Sequence, residues 1–176
     1  MPPVGPENLI LNPSFEIDLD GDGKLGQAEG WRWTRSSWGD TTGAGAWDDG
    51  TAHEGQRSAR LENVTTQLAW QSTPDALQAG ARYKVTIWSK ARGLAESGTV
   101  RVRFVCSNRG RWVGNAKAPA EASVTGDHEW TRHEFLVLPE HLPKEAVDFS
   151  LMALLSGGGS QGVAWFDDAR VQIVAP

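Results

Sequence analysis

The chain has one cysteine among its 176 residues, so it cannot form an internal disulfide framework. It has no run of about 18 apolar residues, which excludes a membrane-spanning α-helix. Positive charge is also scarce, because 17 Lys and Arg stand against 22 Asp and Glu, for a net charge of −5. Basic residues are scattered along the chain, and we therefore expect neither nucleic acid nor a membrane as a partner.

The first residues, MPPVGPENL, lack the charged and apolar segments of a secretion signal, so no signal peptide is expected in this sequence. We interpret residues 1–7 as a linker or lead segment. Residues 8–175 are predicted to form one domain, because a chain of this length buries a sizeable core without disulfides.

Tyrosine is nearly absent, whereas tryptophan is abundant: the fifteen aromatic residues are nine Trp, five Phe and one Tyr. Tryptophan combines a broad apolar face with one hydrogen-bond donor, which suits a stacking surface as well as a core.

Alternation of apolar and polar residues predicts a nearly all-β chain. The segments that show it are YKVTIWSK, TVRVRFVC, RHEFLVL and DFSLMALL, and further strands fit NLILN, SARLE, QLAWQS and AWFDDARVQIV. Only PEHLPKEAV favours a short helix, which Pro143 limits. The expected fold is a two-sheet antiparallel β-sandwich.

The segment DLDGDGKLGQAE, residues 18–29, matches the calcium loop of a helix–loop–helix hand, with Gly23 at the sharp turn. Its predicted ligands are Asp18, Asp20, Asp22, Lys24 through its carbonyl, and Glu29. The flanking sequence is not helical, so a calcium sensor is disfavoured. We predict a structural Ca²⁺ site, with a metal-free Asp/Gly turn as the alternative.

Several motifs occur in an order that resembles the carbohydrate-binding modules of families 4, 9 and 22. They are NLILNPSFE, GWRW, HEGQRSARLE, LQAGARYKVTIWSKA, EWTRHEFLV and AWFDDARVQIV. The resemblance covers residues 8–175 and implies a β-jelly roll, with the loop 18–29 inserted after the first strand. It also implies that Trp31, in GWRW, is a core residue.

The resemblance further implies a second structural calcium, which would join the N-terminal segment, a middle loop and the last strand. The ligands carried over from the motifs are Ser14 and Arg57 through their carbonyls, and the carboxylates of Glu16, Glu54 and Asp167. Calcium prefers six to eight such oxygen ligands. The alternative is that these acids are solvated surface residues.

A sugar site needs flat aromatic side chains for the ring faces and polar side chains for the hydroxyl groups. Trp112 is the foremost candidate, because it stands in a polar loop sequence, SNRGRWVGN. The other candidates are Trp70, Trp88, Arg101, Arg103, Gln67, Gln71, Asn115, Trp38 and Trp47. Trp38 and Trp47, like Trp33, either extend the cleft or pack within the N-terminal insertion.

The expected function is that of a non-catalytic module, stabilised by one or two Ca²⁺ ions, which targets an attached glycoside hydrolase to a plant-type polysaccharide such as xylan or β-glucan. Such a module would be secreted as part of a larger enzyme. The alternatives are an extracellular adhesion or protein-interaction sandwich and a jelly-roll glycan lyase or hydrolase. The four histidines fall in separate segments without a base–nucleophile pattern, which disfavours an enzyme.

Overall fold

Strands account for about half of the residues that the structure describes, as the alternating pattern predicts. The computed structural model describes residues 7–35 and 42–175. Within these ranges there are twelve strands: β1 (Trp31–Arg35), β2 (Ala44–Asp48), β3 (Ser58–Glu62), β4 (Gln67–Ser72), β5 (Asp75–Ala76), β6 (Arg82–Arg92), β7 (Thr99–Asn108), β8 (Arg111–Asn115), β9 (Glu121–Thr125), β10 (His128–Val137), β11 (Asp148–Ser156) and β12 (Val163–Val174).

The strands form two antiparallel sheets. The seven-stranded sheet has the order β1-β4-β11-β7-β8, with β5 paired to β11 and β9 paired to β7. The five-stranded sheet has the order β10-β6-β12-β3-β2. The predicted two-sheet sandwich is therefore confirmed.

The core lies between the inner faces of the two sheets. In β6 the inward residues Tyr83, Val85 and Ile87 are fully buried, and Phe104 in β7 and Phe149 in β11 stack against each other from the opposite sheet. Successive side chains of a strand point to opposite faces, so the residues between these positions reach the outer faces. The sequence alternation thus decides which side chains are available to a ligand.

The N-terminal segment differs from the prediction. NLILN, residues 8–12, is not a strand; instead the Asn8 side chain fastens it to β12, accepting hydrogen bonds from the Ile10 and Val171 backbone N–H groups. Asn12 has a φ of 46°, which no extended strand contains. The first described strand begins at Trp31, so loop 18–29 precedes it and is not inserted after it.

The predicted helix in PEHLPKEAV is reduced to one 3₁₀ turn, Pro139–His141. Pro143 follows two residues later, and proline disfavours a helical conformation at the residue before it. No helix in the described ranges is long and apolar enough to cross a membrane.

A histidine side chain is buried between the two sheets. His133 of β10 faces the core and is 4% exposed, with its Nε2 atom 2.6 Å from the Ser89 hydroxyl. Burial lowers the pKa of His133 to about 4, and the nearby His128 charge contributes in the same direction. Burial disfavours the imidazolium because it removes water from the charged form.

We expect this histidine to make the protein less stable in acid. The unfolded chain has a histidine pKa of 6.5, so between pH 6.5 and about 4 the unfolded state binds more protons than the folded state. The contribution of His133 to the free energy of unfolding should therefore fall by about 3 kcal/mol as the pH is lowered through this window, while Asp167, whose pKa is raised to about 6, contributes in the opposite direction. Urea denaturation at a series of pH values measures this dependence.

The matched variant is His133→Gln, which keeps a neutral hydrogen-bonding side chain but cannot titrate. Its stability should depend less steeply on pH across the same window, even if the variant is less stable at neutral pH. An unchanged slope would show that His133 does not carry the dependence.

Candidate functional site

The outer face of the seven-stranded sheet presents a row of long side chains, all of them polar except Met152. Because directly paired residues lie side by side, the pairing Arg32–Gln71–Met152–Arg103 extends across four strands, and Glu121 of β9 completes the row. We call this outer surface the seven-strand face. It is formed by residues that alternate with the core residues of the same strands.

The arginines of this face have unused hydrogen-bonding capacity. The Nε atoms of Arg101 and Arg103 are buried and have no hydrogen-bond partner. Glu121 Oε2 lies 3.6 Å from Arg103 Nε, too far for a hydrogen bond. A buried donor without an acceptor costs on the order of 1–3 kcal/mol, so a ligand oxygen that bonded to either group would recover part of this energy.

Trp112 stands at one end of the seven-strand face. It pairs with Ser107 across a hairpin that turns through Arg109 and Gly110, both at positive φ. Asn115 pairs with Val105 and reaches the same face. Trp112 is 66% exposed, more than any other large hydrophobic residue in the described ranges. An indole exposed in this way offers a flat surface on which a ring can stack.

A cavity of about 220 Å³ opens beside the hairpin. Its lining residues are Gln27, Trp31, Arg32, Gln71, Thr73, Pro74 and Gly110. Arg32 and Gln71 belong to the polar row described above, so the cavity continues the seven-strand face toward strand β1. Gln71 is also held by a hydrogen bond of 2.7 Å from its Nε2 atom to the Ser150 hydroxyl.

The structure brings six of the ten predicted sugar contacts together on the seven-strand face. They are Gln67, Gln71, Arg101, Arg103, Trp112 and Asn115. Sequence reasoning missed Arg32, Ser150 and Met152. Because side chains alternate along a strand, the buried Trp31 directs the next residue, Arg32, to the outer face. Only the strand pairing shows that Arg32 lies beside Gln71.

Three of the other predicted contacts lie elsewhere. Trp70 is wrong as a sugar contact, because it is fully buried and its Nε1 atom donates to the Arg60 carbonyl at 3.0 Å. Trp88 belongs to the five-stranded sheet and cannot share a cleft with Arg101 and Arg103, which is a second correction. Its ring stacks on His53 at a centroid distance of 4.0 Å.

Trp47 packs at the edge of the core, with the Arg57 guanidinium 4.4 Å from its ring centroid. Of the two possibilities for Trp47, the structure therefore favours packing over an extension of the cleft. Trp38 lies outside the described residues. Trp31 is buried, as the resemblance implied.

Ion pairs cover much of the outer face of the five-stranded sheet. Lys84 and Arg132 both pair with Glu134, at 3.3 and 2.6 Å. His53 Nδ1 lies 2.7 Å from Asp168 Oδ2, next to the cavity that Trp88 lines. The charges of these side chains are already paired with one another, as is usual for a sheet surface that faces water.

Three of the predicted calcium ligands in loop 18–29 converge. One carboxylate oxygen from each of Asp18, Asp20 and Asp22 lies within 4.8 Å of the others. Glu29 does not join them: it is 1% exposed, and its two oxygens accept hydrogen bonds from the Leu19 and Gly26 backbone N–H groups. Carboxylates at positions 1, 3 and 5 of the loop fit a Ca²⁺ ion, and like Glu29 they also accept hydrogen bonds from backbone N–H groups of the loop.

The three segments of the second predicted calcium site also meet. Glu16 Oε1 accepts hydrogen bonds from the Gln56 and Arg57 N–H groups, both at 2.8 Å, which joins the N-terminal segment to the middle loop. Asp167 Oδ2 accepts from the His53 and Glu54 N–H groups at 2.8 and 3.2 Å, which joins the same loop to β12. The predicted meeting of these segments is therefore observed.

The predicted carboxylates do not converge there, however. The oxygens that cluster within 4.8 Å with the His53 ring nitrogen belong to Glu54 and Asp168, not to Glu16 and Asp167. Burial raises the pKa of Asp167 to about 6, and the Asp168 charge adds to this effect. A β-bulge in β12, with Asp168 at a φ of 48°, separates the two aspartates. Ser14 and Arg57 lie in the segments that meet.

A sandwich with an exposed tryptophan and a row of polar side chains on one sheet face is typical of a carbohydrate-binding module. Residues 7–152 match the family model "Carbohydrate binding domain" of the 4/9 type, and the chain belongs to that family. None of the curated protein sequences is significantly similar to the chain.

Solved structures with the same fold include modules that bind different glycans. TmCBM61 in complex with β-1,4-galactotriose is 15% identical, with a TM-score of 0.60 over 96% of this chain and 99% of that one. The CBM22-1 xylan-binding domain of Paenibacillus barcinonensis Xyn10C is 13% identical, with a TM-score of 0.62 over 93% and 92%. Identities this low establish the shared fold alone.

A third similar structure contains more than a module. The CBM22-1-GH10 modules of Clostridium thermocellum Xyn10B, complexed with xylohexaose, are 17% identical to this chain, with a TM-score of 0.64. The similarity covers 96% of this chain and 29% of that one.

The opposite environments of two tryptophans predict opposite effects on stability. Trp112→Ala should leave the melting temperature almost unchanged, because the side chain is largely exposed. Trp70→Ala should destabilise the fold by about 3–5 kcal/mol, because it leaves a cavity in the core. Thermal and urea denaturation of both variants measure the difference, and a large loss in Trp112→Ala would contradict its placement.

Proposed function

We propose that this carbohydrate-binding module binds a plant-type polysaccharide, such as xylan or β-glucan, along the seven-strand face. In this proposal the module is non-catalytic and belongs to a larger secreted enzyme, whose catalytic domain it holds on the polysaccharide. The observation that carries the proposal is the exposure of Trp112 at the end of a face lined by Gln71, Arg101 and Arg103.

The chemistry of the face supports a sugar ligand. A sugar ring presents C–H groups on its faces and hydroxyl groups on its rim. Trp112 supplies a flat apolar surface for the C–H groups. The guanidinium groups of Arg101 and Arg103 supply hydrogen-bond donors for the hydroxyl groups, and the Gln71 amide supplies both donors and acceptors.

The histidines support a non-catalytic role. The Ser89 hydroxyl lies 2.9 Å from His128 Nε2 and 2.6 Å from His133 Nε2, a contact that in a hydrolase would activate a nucleophile. Ser89 is fully buried, so no substrate reaches it. His53 is engaged by Asp168, and His141 Nδ1 accepts a hydrogen bond from the Leu138 N–H group at 3.1 Å.

Replacement of the exposed tryptophan tests the site. Trp112→Ala should weaken binding to the preferred glycan by about tenfold or more, because a stacking aromatic is a typical binding hot spot. Affinity electrophoresis through gels that contain xylan, β-glucan or galactan identifies the glycan, and calorimetry then gives the dissociation constants.

Trp88→Ala is the matched control, because Trp88 lies on the outer face of the other sheet. It should bind glycan like the unmodified protein. Loss of binding in Trp88→Ala with retention in Trp112→Ala would place the site on the five-stranded sheet. If none of the gels retards the protein, a protein-interaction role is favoured, and release of sugar from any of these glycans would disprove the non-catalytic assignment.

Calcium is proposed as a structural ion at loop 18–29 and at the meeting point of the N-terminal segment, the middle loop and β12. The convergence of Asp18, Asp20 and Asp22 supports the first site, because a bound cation would offset the repulsion between three neighbouring carboxylates. Bound Ca²⁺ would hold these segments in the folded arrangement.

Removal of calcium tests this role. Metal that binds only the folded state stabilises it by mass action, so EDTA should lower the melting temperature and added Ca²⁺ should restore it. Asp20→Ala should reduce this calcium-dependent shift, whereas Asp75→Ala, which removes an exposed acid on β5, should not. An unchanged melt after verified metal removal would count against both sites.

A further inference from the structure

The basic residues on the two outer faces differ in how their charges are compensated. On the strands of the five-stranded sheet, five of the seven lysines and arginines form ion pairs with carboxylates: Arg60, Lys84, Lys90, Arg92 and Arg132. Their positive charges are thus balanced within the protein.

The arginines of the seven-strand face are balanced much less well. Within residues 7–35 and 42–175, neither Arg32 nor Arg101 lies in an ion pair, and Arg103 has only the 3.6 Å contact to Glu121. The Nε atoms of Arg101 and Arg103 are in addition buried without a hydrogen-bond partner. Uncompensated positive charge therefore accumulates on this face, although the whole chain has a net charge of −5.

The type of basic residue is also informative. The strands of the seven-stranded sheet contain five arginines and no lysine, whereas those of the other sheet contain both. Arginine presents a planar fork of donors that matches the two oxygens of a carboxylate, and lysine does not. A sugar hydroxyl can accept one of these hydrogen bonds, but it leaves the charge uncompensated.

The arginines are also spaced along the face rather than gathered at one point. Arg103 and Arg101 are two residues apart on β7, which separates them by roughly 7 Å. Arg32 lies three strands away from Arg103 in the same row, a separation of roughly 14 Å. Ser107, the partner of Trp112, is four residues from Arg103, or roughly 13 Å along the strand.

We infer that the seven-strand face selects a glycan that carries carboxylate groups, as uronic acid residues do, and that Arg101, Arg103 and Arg32 bind these carboxylates. The inference rests on the proposed function, because it specifies the ligand of the same face. Trp112 stacks on a sugar ring, and the arginines distinguish an acidic glycan from a neutral one.

Paired acidic and neutral glycans test the inference. Calorimetry should give a tighter dissociation constant for a uronate polymer (polygalacturonate or alginate) or for a glucuronic acid-substituted xylan than for galactan or unsubstituted xylan. The two acidic classes distinguish carboxylates in the backbone from carboxylates on branches. Affinity for the acidic glycan should fall as salt is raised, since salt screens exposed charges.

Arg101→Gln should weaken binding to the acidic glycan by about tenfold and binding to neutral glycans by less, because the Gln amide can still donate to a sugar hydroxyl but cannot make a charge-assisted hydrogen bond to a carboxylate. Arg32→Gln, at an exposed position, provides a second test that does not depend on the packing of Arg101. Arg132→Gln on the outer face of the other sheet is the matched control and should bind both glycans normally. Thermal denaturation verifies that each variant is folded.

The outcomes separate the inference from the proposed function. Equal affinity for neutral and acidic glycans, without salt dependence, would overturn the inference and leave the proposed function in place. Preference for acidic glycans that persists in both Arg101→Gln and Arg32→Gln would overturn the assignment of these arginines. Absence of binding to every glycan would overturn both the inference and the proposed function.

Discussion

Burial of one side of every strand between two sheets is the constraint on which the rest of this structure depends. A residue that faces the core is unavailable to a ligand, and its neighbours in the strand are forced onto an outer face. Val102 and Phe104 fill the core, and for that reason Arg101 and Arg103 lie on the seven-strand face. The position of the candidate site follows from the packing of the core.

The two outer faces use their polar residues differently. On the five-stranded sheet, opposite charges lie next to each other and neutralise one another, which keeps the surface solvated without a ligand. On the seven-strand face, Arg101 and Arg103 have buried Nε donors that no protein group accepts and no close ion pair. Arg60 of β3 also has an unsatisfied Nε donor, but its charge is balanced by Asp48 and Glu62. Unsatisfied donors cost stability, and proteins tend to retain such groups where binding uses them.

The N-terminal segment is held by side chains and by two backbone hydrogen bonds to β12, from Leu9 N–H to the Val171 carbonyl and from Ala169 N–H to the Pro13 carbonyl, and it forms no regular strand. Asn8 joins it to β12, and Glu16 and Asp167 join the segment and β12 to the loop around residues 53–57. Carboxylates that accept backbone N–H groups already organise this region, so a proposed calcium ion would reinforce an arrangement that hydrogen bonds define. The loop 18–29 lies within this same N-terminal segment, on the path to strand β1.

The amino-acid sequence by itself determined the all-β class, the inward residues of most strands and the exposure of Trp112, because alternation and turn chemistry are local properties. Tertiary structure alone decided which strands are neighbours. Trp88 and Arg101 occupy equivalent outward positions in their strands, yet they lie on different sheets, and Trp70 is buried where its motif suggested a ligand contact. The reason is that antiparallel pairing joins residues far apart in the chain, such as Gln71 and Met152, and no local pattern encodes that choice.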